Sequence, residues 1–260
     1  MSQAHSGGQA PTAMRRCAAL ALALLLAGCA SVPPGTALTP GQQVDPWEGW
    51  NRKVFAFNDA VDNAVLKPVA QGYQKVVPRI VRTGVSNVFG NLGDVWSTAN
   101  QFLQAKLQLG LEMGMRVLVN TVFGLGGLLD PATEMGLTRR AEDFGQTLGR
   151  WGLPPGPYLV LPLFGPSTVR DGAGLVADLH IASPSRLSDD TAGAYEISAL
   201  KLIDTRANLL STTQLVDEAA LDRYSFIRDA YLQRRLDEVY DGAPTLPKLD
   251  DESDTPAPGE

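Results

Sequence analysis

Several groupings of reactive side chains have the spelling of a known chemistry and lack its context. Asp143-Phe144-Gly145 resembles a magnesium-holding triplet, yet no glycine-rich loop, paired lysine or catalytic loop accompanies it. A helix cap followed by a buried Phe is the simpler reading. Gly124 and Gly126 have neither a preceding strand nor the third glycine of a dinucleotide-binding turn. Beyond residue 28 the only histidine is His180, which could serve acyl transfer only with Asp178 or Asp171 and a distant serine. A lone histidine near a helix end more often caps or packs. The chain has no Gly-x-Ser-x-Gly elbow, no His-Glu-x-x-His and no cysteine pair for zinc. We therefore expect no enzyme activity, catalytic residue, metal ligand or cofactor.

One residue type at one position does carry a chemistry. Residues 18–28 read Ala-Ala-Leu-Ala-Leu-Ala-Leu-Leu-Leu-Ala-Gly, after Arg15 and Arg16 and before Cys29. A positive end, a brief apolar stretch and small residues at the exit make a secretory signal peptide. The stretch falls short of the roughly 20 apolar residues a spanning helix needs. Leu26-Ala27-Gly28-Cys29 resembles the lipobox cut by lipoprotein signal peptidase. There the Cys29 thiol takes a diacylglycerol, and cleavage frees an amine that can be acylated. Two or three chains, at about 0.8 kcal/mol per buried methylene, anchor stably where one is marginal. Ala30 and Ser31 follow, and the lack of an inner-membrane retention aspartate favours the outer membrane. Met14 directly precedes Arg15, so a start there would give a compact signal peptide.

Cleavage removes Arg15, Arg16 and no acid, taking the formal net charge from −6 to −8. From Asp241 onward stand six acids and one lysine, so the body is only mildly acidic. No basic face recommends nucleic acid as a partner. Cys17 leaves with the signal and Cys29 is acylated, so the mature chain has no disulfide. The expected organisation is a signal peptide over 1–28, a tether over 29–44, one domain over 45–241 and a disordered acidic tail over 242–260.

Helical spacing dominates that domain. Asp45-Pro46-Trp47-Glu48 has an N-cap acid, a proline at the first helical position and Glu at the third. The helix it starts is predicted to run until Pro68. Pro78 starts another segment, which glycines 84, 90 and 93 are expected to divide into short helices. The glycine-rich run Gly124 to Pro131 reads as a hinge or turn. Glu142 to Trp151 is predicted helical, and the proline-rich stretch Leu153 to Gly165 extended. Ser167 is expected to open the next helix, with two more at about 193–211 and 216–240. The fold class is all-α, a single domain of short and medium helices with one short extended proline-rich segment.

Residues 105–123 carry the most information. Gln108, Glu112, Arg116 and Asn120 recur every four residues among leucines, valines and methionines. Each step drifts about 40° on a helix of 3.6 residues per turn, so the four make one narrow polar stripe. Glu112 stands four residues before Arg116, the orientation for a helical ion pair. Gly110 and Gly114 would let another helix approach closely. Either this is a core helix whose polar edge meets bulk water, or it faces lipid outside and a water-filled passage inside. Periodicity by itself leans to the first.

Ordered blocks along the chain resemble one family, the MlaA/VacJ outer-membrane lipoproteins. They are Asp45-Pro46-Trp47-Glu48-Gly49-Trp50-Asn51-Arg52, Phe57-Asn58, Asn87 with Asn91, Arg116, Asn120-Thr121, Gly124 to Asp130 and Asp143-Phe144-Gly145-Gln146-Thr147-Leu148. The most distinctive is Gly156-Pro157-Tyr158-Leu159-Val160-Leu161-Pro162 leading into Gly165-Pro166-Ser167-Thr168-Val169-Arg170-Asp171. Together they span roughly Asp45 to Asp178.

The resemblance implies a helical ring embedded in the inner leaflet of the outer membrane, often beside a trimeric porin. Mislocalised phospholipid leaves the outer leaflet through its amphipathic passage and passes to a soluble periplasmic lipid carrier, which maintains lipid asymmetry. On that basis Gln108, Glu112, Arg116 and Asn120 become channel-lining candidates, ahead of a solvent-facing edge. Phe57 and Asn58 are either a buried Phe with a helix-side Asn or part of the access control. Gly124, Gly126 and Gly127 become candidates for a movable hairpin. Gly156, Pro157, Tyr158, Arg170 and Asp171 are expected to be structural, the last pair pinning the extended strand to the following helix. The competing reading is an adaptor lipoprotein that binds porins or an envelope complex.

Overall fold

The helix expected to begin at Asp45 begins three residues later, as α1 (Glu48–Val61), with no side-chain cap. The Asp45 carboxylate is buried, accepting from Asn51 Nδ2 at 2.8 Å and from the Tyr224 hydroxyl of the last helix. In this computed structural model the described residues are 44–242 except 184, 186, 187 and 189. They belong to a unit Val44–Glu260, distinct from Met1–Gln43. The expected signal peptide, Cys29 and the tail beyond Gly242 lie outside the described residues.

Pro68 does not end the helix. The chain continues through a π-helical turn (Asp62–Leu66) into α2 (Lys67–Val76). Proline has no N–H for the carbonyl four residues back, and its ring crowds that carbonyl. Widening the preceding turn, closed by Lys67 N donating to Asp62 O, removes the conflict. Beyond Pro78, α3 (Arg79–Leu103) is a single helix of 25 residues, so its glycines do not break it. Two of them admit neighbours: a Cβ on Gly84 would meet Leu128 Cδ1 at 2.8 Å, and one on Gly90 the Arg139 guanidinium at 2.6 Å.

α3 turns back into α4 (Leu107–Val122), with Gly110 under the Phe102 ring and Gly114 against Thr98, the close approach the small-residue pair predicts. A one-turn helix α5 (Pro131–Glu134), capped by Asp130, follows the glycine-rich turn. α6 (Phe144–Arg150) is capped by Asp143 through Gln146 N at 2.9 Å, the cap reading of Asp143-Phe144-Gly145.

The proline-rich stretch leads into β1 (Tyr158–Leu161), antiparallel to β2 (Gly165–Thr168) with Tyr158 opposite Thr168. α7 (Val169–Ile181) begins after Thr168, its N-cap, rather than at Ser167, because residues 165–168 pair as a strand. α8 (Thr191–Ala219) and α9 (Arg223–Tyr240) complete the order; α8 begins about two residues earlier and ends about eight later than spacing predicts, whereas α9 begins about seven later and ends where expected. The fold is all-α apart from the two-stranded hairpin.

Neighbouring elements form a closed circuit: α1, the π turn, α2, α8, α3, α6, α9, β2, β1 and α1 again. The apolar core is small and lies where α1, β1 and α9 meet, around Val54, Tyr158, Val160 and Tyr224. Tyr158 packs edge-on against Tyr224 and Tyr231, with centroids 6.3 and 6.2 Å apart. Among the described residues no helix is long and apolar enough to cross a membrane.

Candidate functional site

The polar stripe of α4 divides in two. Gln108 and Glu112 are exposed and bond to each other at 2.9 Å. Arg116 and Asn120 are each only 1% exposed and so cannot line a passage as the sequence led us to expect. Arg116 does not pair with Glu112. Its Nε donates to Asp94 of α3 at 3.0 Å, Nη2 to Asp130 at 2.5 Å, and Nη1 to Thr133 and to Leu137 O. Asn120 donates to Asp130 at 2.9 Å and accepts from Ala132 N at 3.0 Å. Both therefore latch the segment 130–137 onto α4. Tertiary carboxylates outcompete the local partner because they lie in a dry interior, where an unpaired guanidinium would be costly. Burial raises the Asp130 pKa, but hydrogen bonds from Thr133, Asn120 and Arg116 outweigh it and bring it to about 2.

The opposite face of α4 is apolar and bare. Leu107, Leu111, Met115, Leu118 and Val122 follow at intervals of four, four, three and four, and all are exposed. Phe102 and Val95 of α3 extend that surface. Inside, α3, α6 and the loop before α6 bury polar groups together. Gln104 donates to Glu142 at 2.8 Å and to Thr147 at 3.1 Å, Thr147 bonds Asn100 at 2.7 Å, and Lys106 reaches Glu142 at 3.1 Å. Burial pushes the Glu142 carboxyl up from its ordinary value against the pull of Gln104 and Lys106. The usual order, apolar within and polar without, is inverted on this side. Contiguous exposed apolar surface of this kind marks a face made for lipid or protein.

Two asparagines on α1 hold the hairpin. Asn51 donates to Tyr158 O at 3.1 Å and accepts from Val160 N at 2.9 Å. Asn58 donates to Leu161 O at 2.9 Å and accepts from Leu163 N at 2.8 Å. Seven helical residues rise about 10.5 Å, and three strand residues cover about 10 Å. The spacing lets two side-chain amides act as a neighbouring strand along the free edge of β1. Phe57 is not buried as the bland reading had it; it is 52% exposed. Leu163, at the hairpin tip, holds φ +66°, a left-handed conformation unfavourable for Leu.

Phe164 at that tip lines two cavities. One, of about 240 Å³, lies between the hairpin and α8, which are not neighbours in the circuit. Its walls are Val61, Leu66, Leu202, Leu209, Leu163 and Phe164, and in them sits an ion pair, Arg206 with Asp62. The other, of about 190 Å³, lies beneath α7 and α9 and carries Asp143, Ser167, Tyr231 and Arg234. Sequence reasoning missed Asp62, Arg206, Leu163 and Phe164. The tip had a signal, two large apolar residues between Pro162 and Gly165. The ion pair joins residues 144 apart and had none.

The remaining candidates lie in the glycine-rich turn, the hairpin and the start of α7. A Cβ on Gly124 would collide with the carbonyls of Asn120 and Leu129, while Gly126 and Gly127 hold φ +73° and +93°. Three backbone hydrogen bonds close that turn: Gly126 N to Thr121 O, Gly127 N to Asn120 O and Leu129 N to Gly124 O. Gly156 is left-handed at φ +67°, and beyond it Val169 N donates to Pro157 O. Tyr158 is fully buried. Arg170 bonds Asp171 at 2.9 Å, but Asp171 also accepts from Arg235 and Tyr231. The pair thus ties α7 to α9, beyond the strand-to-helix link expected. Burial raises the Asp171 pKa, and Arg235 with Arg170 overcomes it to leave a value of about 2.

Among the described residues, exposed His180 bonds only Val176 O of its own helix, while Asp178 accepts from Trp96 and Phe144 N. No cluster of three or more potential metal ligands occurs among the described residues.

The family profile described as "MlaA lipoprotein" matches residues 43–238. The chain is 36% identical over 239 residues to the "Intermembrane phospholipid transport system lipoprotein MlaA" of Escherichia coli (strain K12), covering 90% of this chain and 92% of that protein. It is 31% identical to the protein of the same description from Haemophilus influenzae, covering 86% and 90%. A solved structure from "Structural basis for maintenance of bacterial outer membrane lipid asymmetry" superimposes with a TM-score of 0.65 at 36% identity, covering 75% of this chain and 98% of that one.

Proposed function

The chain belongs to the MlaA lipoprotein family, and from that premise we propose that it is the outer-membrane lipoprotein of an intermembrane phospholipid transport system. It removes mislocalised phospholipid from the outer leaflet, maintains lipid asymmetry and makes or breaks no bond. The observation that carries this is the inversion of α3 and α4. Leu107, Leu111 and Leu118 face outward while Arg116, Asn120 and Asp94 are sealed within. Aliphatic side chains so exposed are stable only against acyl chains or a protein partner. A body without a spanning helix then sits in one leaflet, the inner one, where Cys29 acyl chains would hold it.

A phospholipid needs a polar contact for its head while its tails stay in apolar surroundings. The cavity between α8 and the hairpin combines both, with Arg206 and Asp62 set in aliphatic walls. We assign the passage there rather than to the α4 stripe, and keep Gln108 and Glu112 as polar groups at the rim. Phe164 and the strained tip, held by Asn58, are the access control. The glycine turn 124–127 is a second place where the wall could move. A trimeric porin on the apolar face and a soluble periplasmic carrier are the partners this reading calls for.

Photo-crosslinkers at Leu202 and Thr205, with Leu111 as an exterior control, test it. Phospholipid captured at both inner positions is expected, along with loss of outer-leaflet phospholipid when the chain is restored to cells lacking it. Capture at Leu111 alone would overturn the passage.

A further inference from the structure

Resting on that transport reading, we propose that Arg206 is the phosphate-binding residue of the passage and that Asp62 occupies it between lipids. The carboxylate of Asp62 stands where two oxygens of a phosphate diester would sit. The pairing is a fork: Arg206 Nε to Asp62 Oδ1 at 2.6 Å and Nη2 to Oδ2 at 2.7 Å. A guanidinium offers this planar fork to carboxylate and phosphate alike. The third contact, Nη1 to Thr213 at 3.2 Å, holds the side chain from its own helix and leaves the fork aimed at the cavity.

Position separates this arginine from two others of the interior. Arg116 is shared by Asp94 and Asp130, and Arg235 by Asp143, Asp171 and Glu238, so both are committed to several carboxylates. Among the described residues Arg206 has one carboxylate partner. The two side chains keep 11% and 22% of their surface accessible, so neither is sealed in. Both line the cavity whose remaining walls suit acyl chains, and Thr205 beside Arg206 offers a hydroxyl to the same space. Asp62 is also the first residue of the π turn, a widened turn of the sort that recurs at functional sites.

The exchange keeps the guanidinium paired. A singly negative phosphate diester takes the place of the carboxylate on Arg206, and the freed carboxylate, 22% accessible, carries the added negative charge toward solvent. The carboxylate then competes the lipid off again, so a passing lipid is recognised without being retained. Arg206 cannot be stranded as a lone cation in an apolar wall at any stage.

The test uses the full-length lipoprotein in non-ionic detergent. Binding of monomeric dihexanoylphosphatidylglycerol, and separately of inorganic phosphate, is followed by phosphorus NMR line broadening. Asp62→Asn removes the competitor and should tighten binding of the short lipid by about tenfold. Arg206→Gln should abolish it. Unchanged or weaker binding by a folded Asp62→Asn, checked by circular dichroism and melting, overturns the proposal. Should that variant fail to fold, Arg206→Lys decides, since it keeps the charge but loses the fork. It should weaken lipid binding severalfold, and unaltered affinity overturns the proposal. Binding of inorganic phosphate without the lipid also overturns it.

Outer-leaflet phospholipid is measured in cells in parallel. Failure of the natural chain to lower it refutes the transport reading, whereas full retrieval by Arg206→Gln refutes the phosphate site alone.

Discussion

Arg116 is the residue whose surroundings most change its meaning. With Asp94 at 3.0 Å and Asp130 at 2.5 Å, it neutralises two carboxylates and carries the segment 130–137. Arg116→Leu would leave Asp94 buried beside only Arg139, and we predict a loss of about 3–5 kcal/mol in denaturant unfolding. Glu112→Leu, on the exposed half of the same stripe, should stay within about 0.5 kcal/mol of the parent. Acid sensitivity belongs to this scale too. Asp130 and Asp171 both lie at about 2 in the fold, against about 3.9 in an unfolded chain. Their stabilisation is present above about pH 4 and lost as pH falls toward 2. Glu142 and Asp178, raised by burial, act in the opposite sense and favour the fold on the acid side of their titration. Melting temperature between pH 7 and 2 should therefore fall on the acid limb, and Asp171→Asn should flatten that limb while lowering stability at neutral pH.

Between elements, the seam of α1 and β1 governs the hairpin tip. Asn58→Ala removes both side-chain bonds to Leu161 and Leu163. The Leu163 amide should then exchange with solvent faster than in the parent, with a stability cost of about 1–3 kcal/mol. Amide protection unchanged at Leu163 would show that Asn58 does not hold the tip. The glycine turn is built differently. Gly126 and Gly127 have positive φ, which proline cannot adopt, so proline there would disrupt the turn rather than stiffen it. Gly124 has carbonyls from both sides where a Cβ would go. Gly124→Ala should cost about 1–3 kcal/mol by overpacking, read from the unfolding midpoint.

Taken whole, the molecule has two claims on the membrane, the acyl chains expected on Cys29 and the apolar face of α3 and α4. A Cys29→Ser variant separates them. If the body sits in a leaflet, membrane association should fall but persist, and flotation in a density gradient would detect the bound fraction. Complete release would favour a periplasm-facing adaptor held only by its anchor. The circuit of elements puts residues from α1, the π turn and α8 around one cavity although they lie far apart in sequence. No local pattern announces such a site.

Local spelling is enough for the helical class, the extended proline-rich segment, the helix starting after Pro78, the Asp143 cap and the family. These are properties of neighbouring residues: spacing, proline's fixed φ, a cap three residues from its amide, and motifs in order. It also found Asn58 and Arg116 without finding what they do. It takes the folded chain to see that Arg116 and Asn120 point inward, that Pro68 is absorbed by a π turn, that α3 runs unbroken, and that Asp62 faces Arg206. The physical reason is the same in each case. A periodic stripe fixes which residues share a face, while burial, packing and distant carboxylates fix whether that face meets water, lipid or the interior.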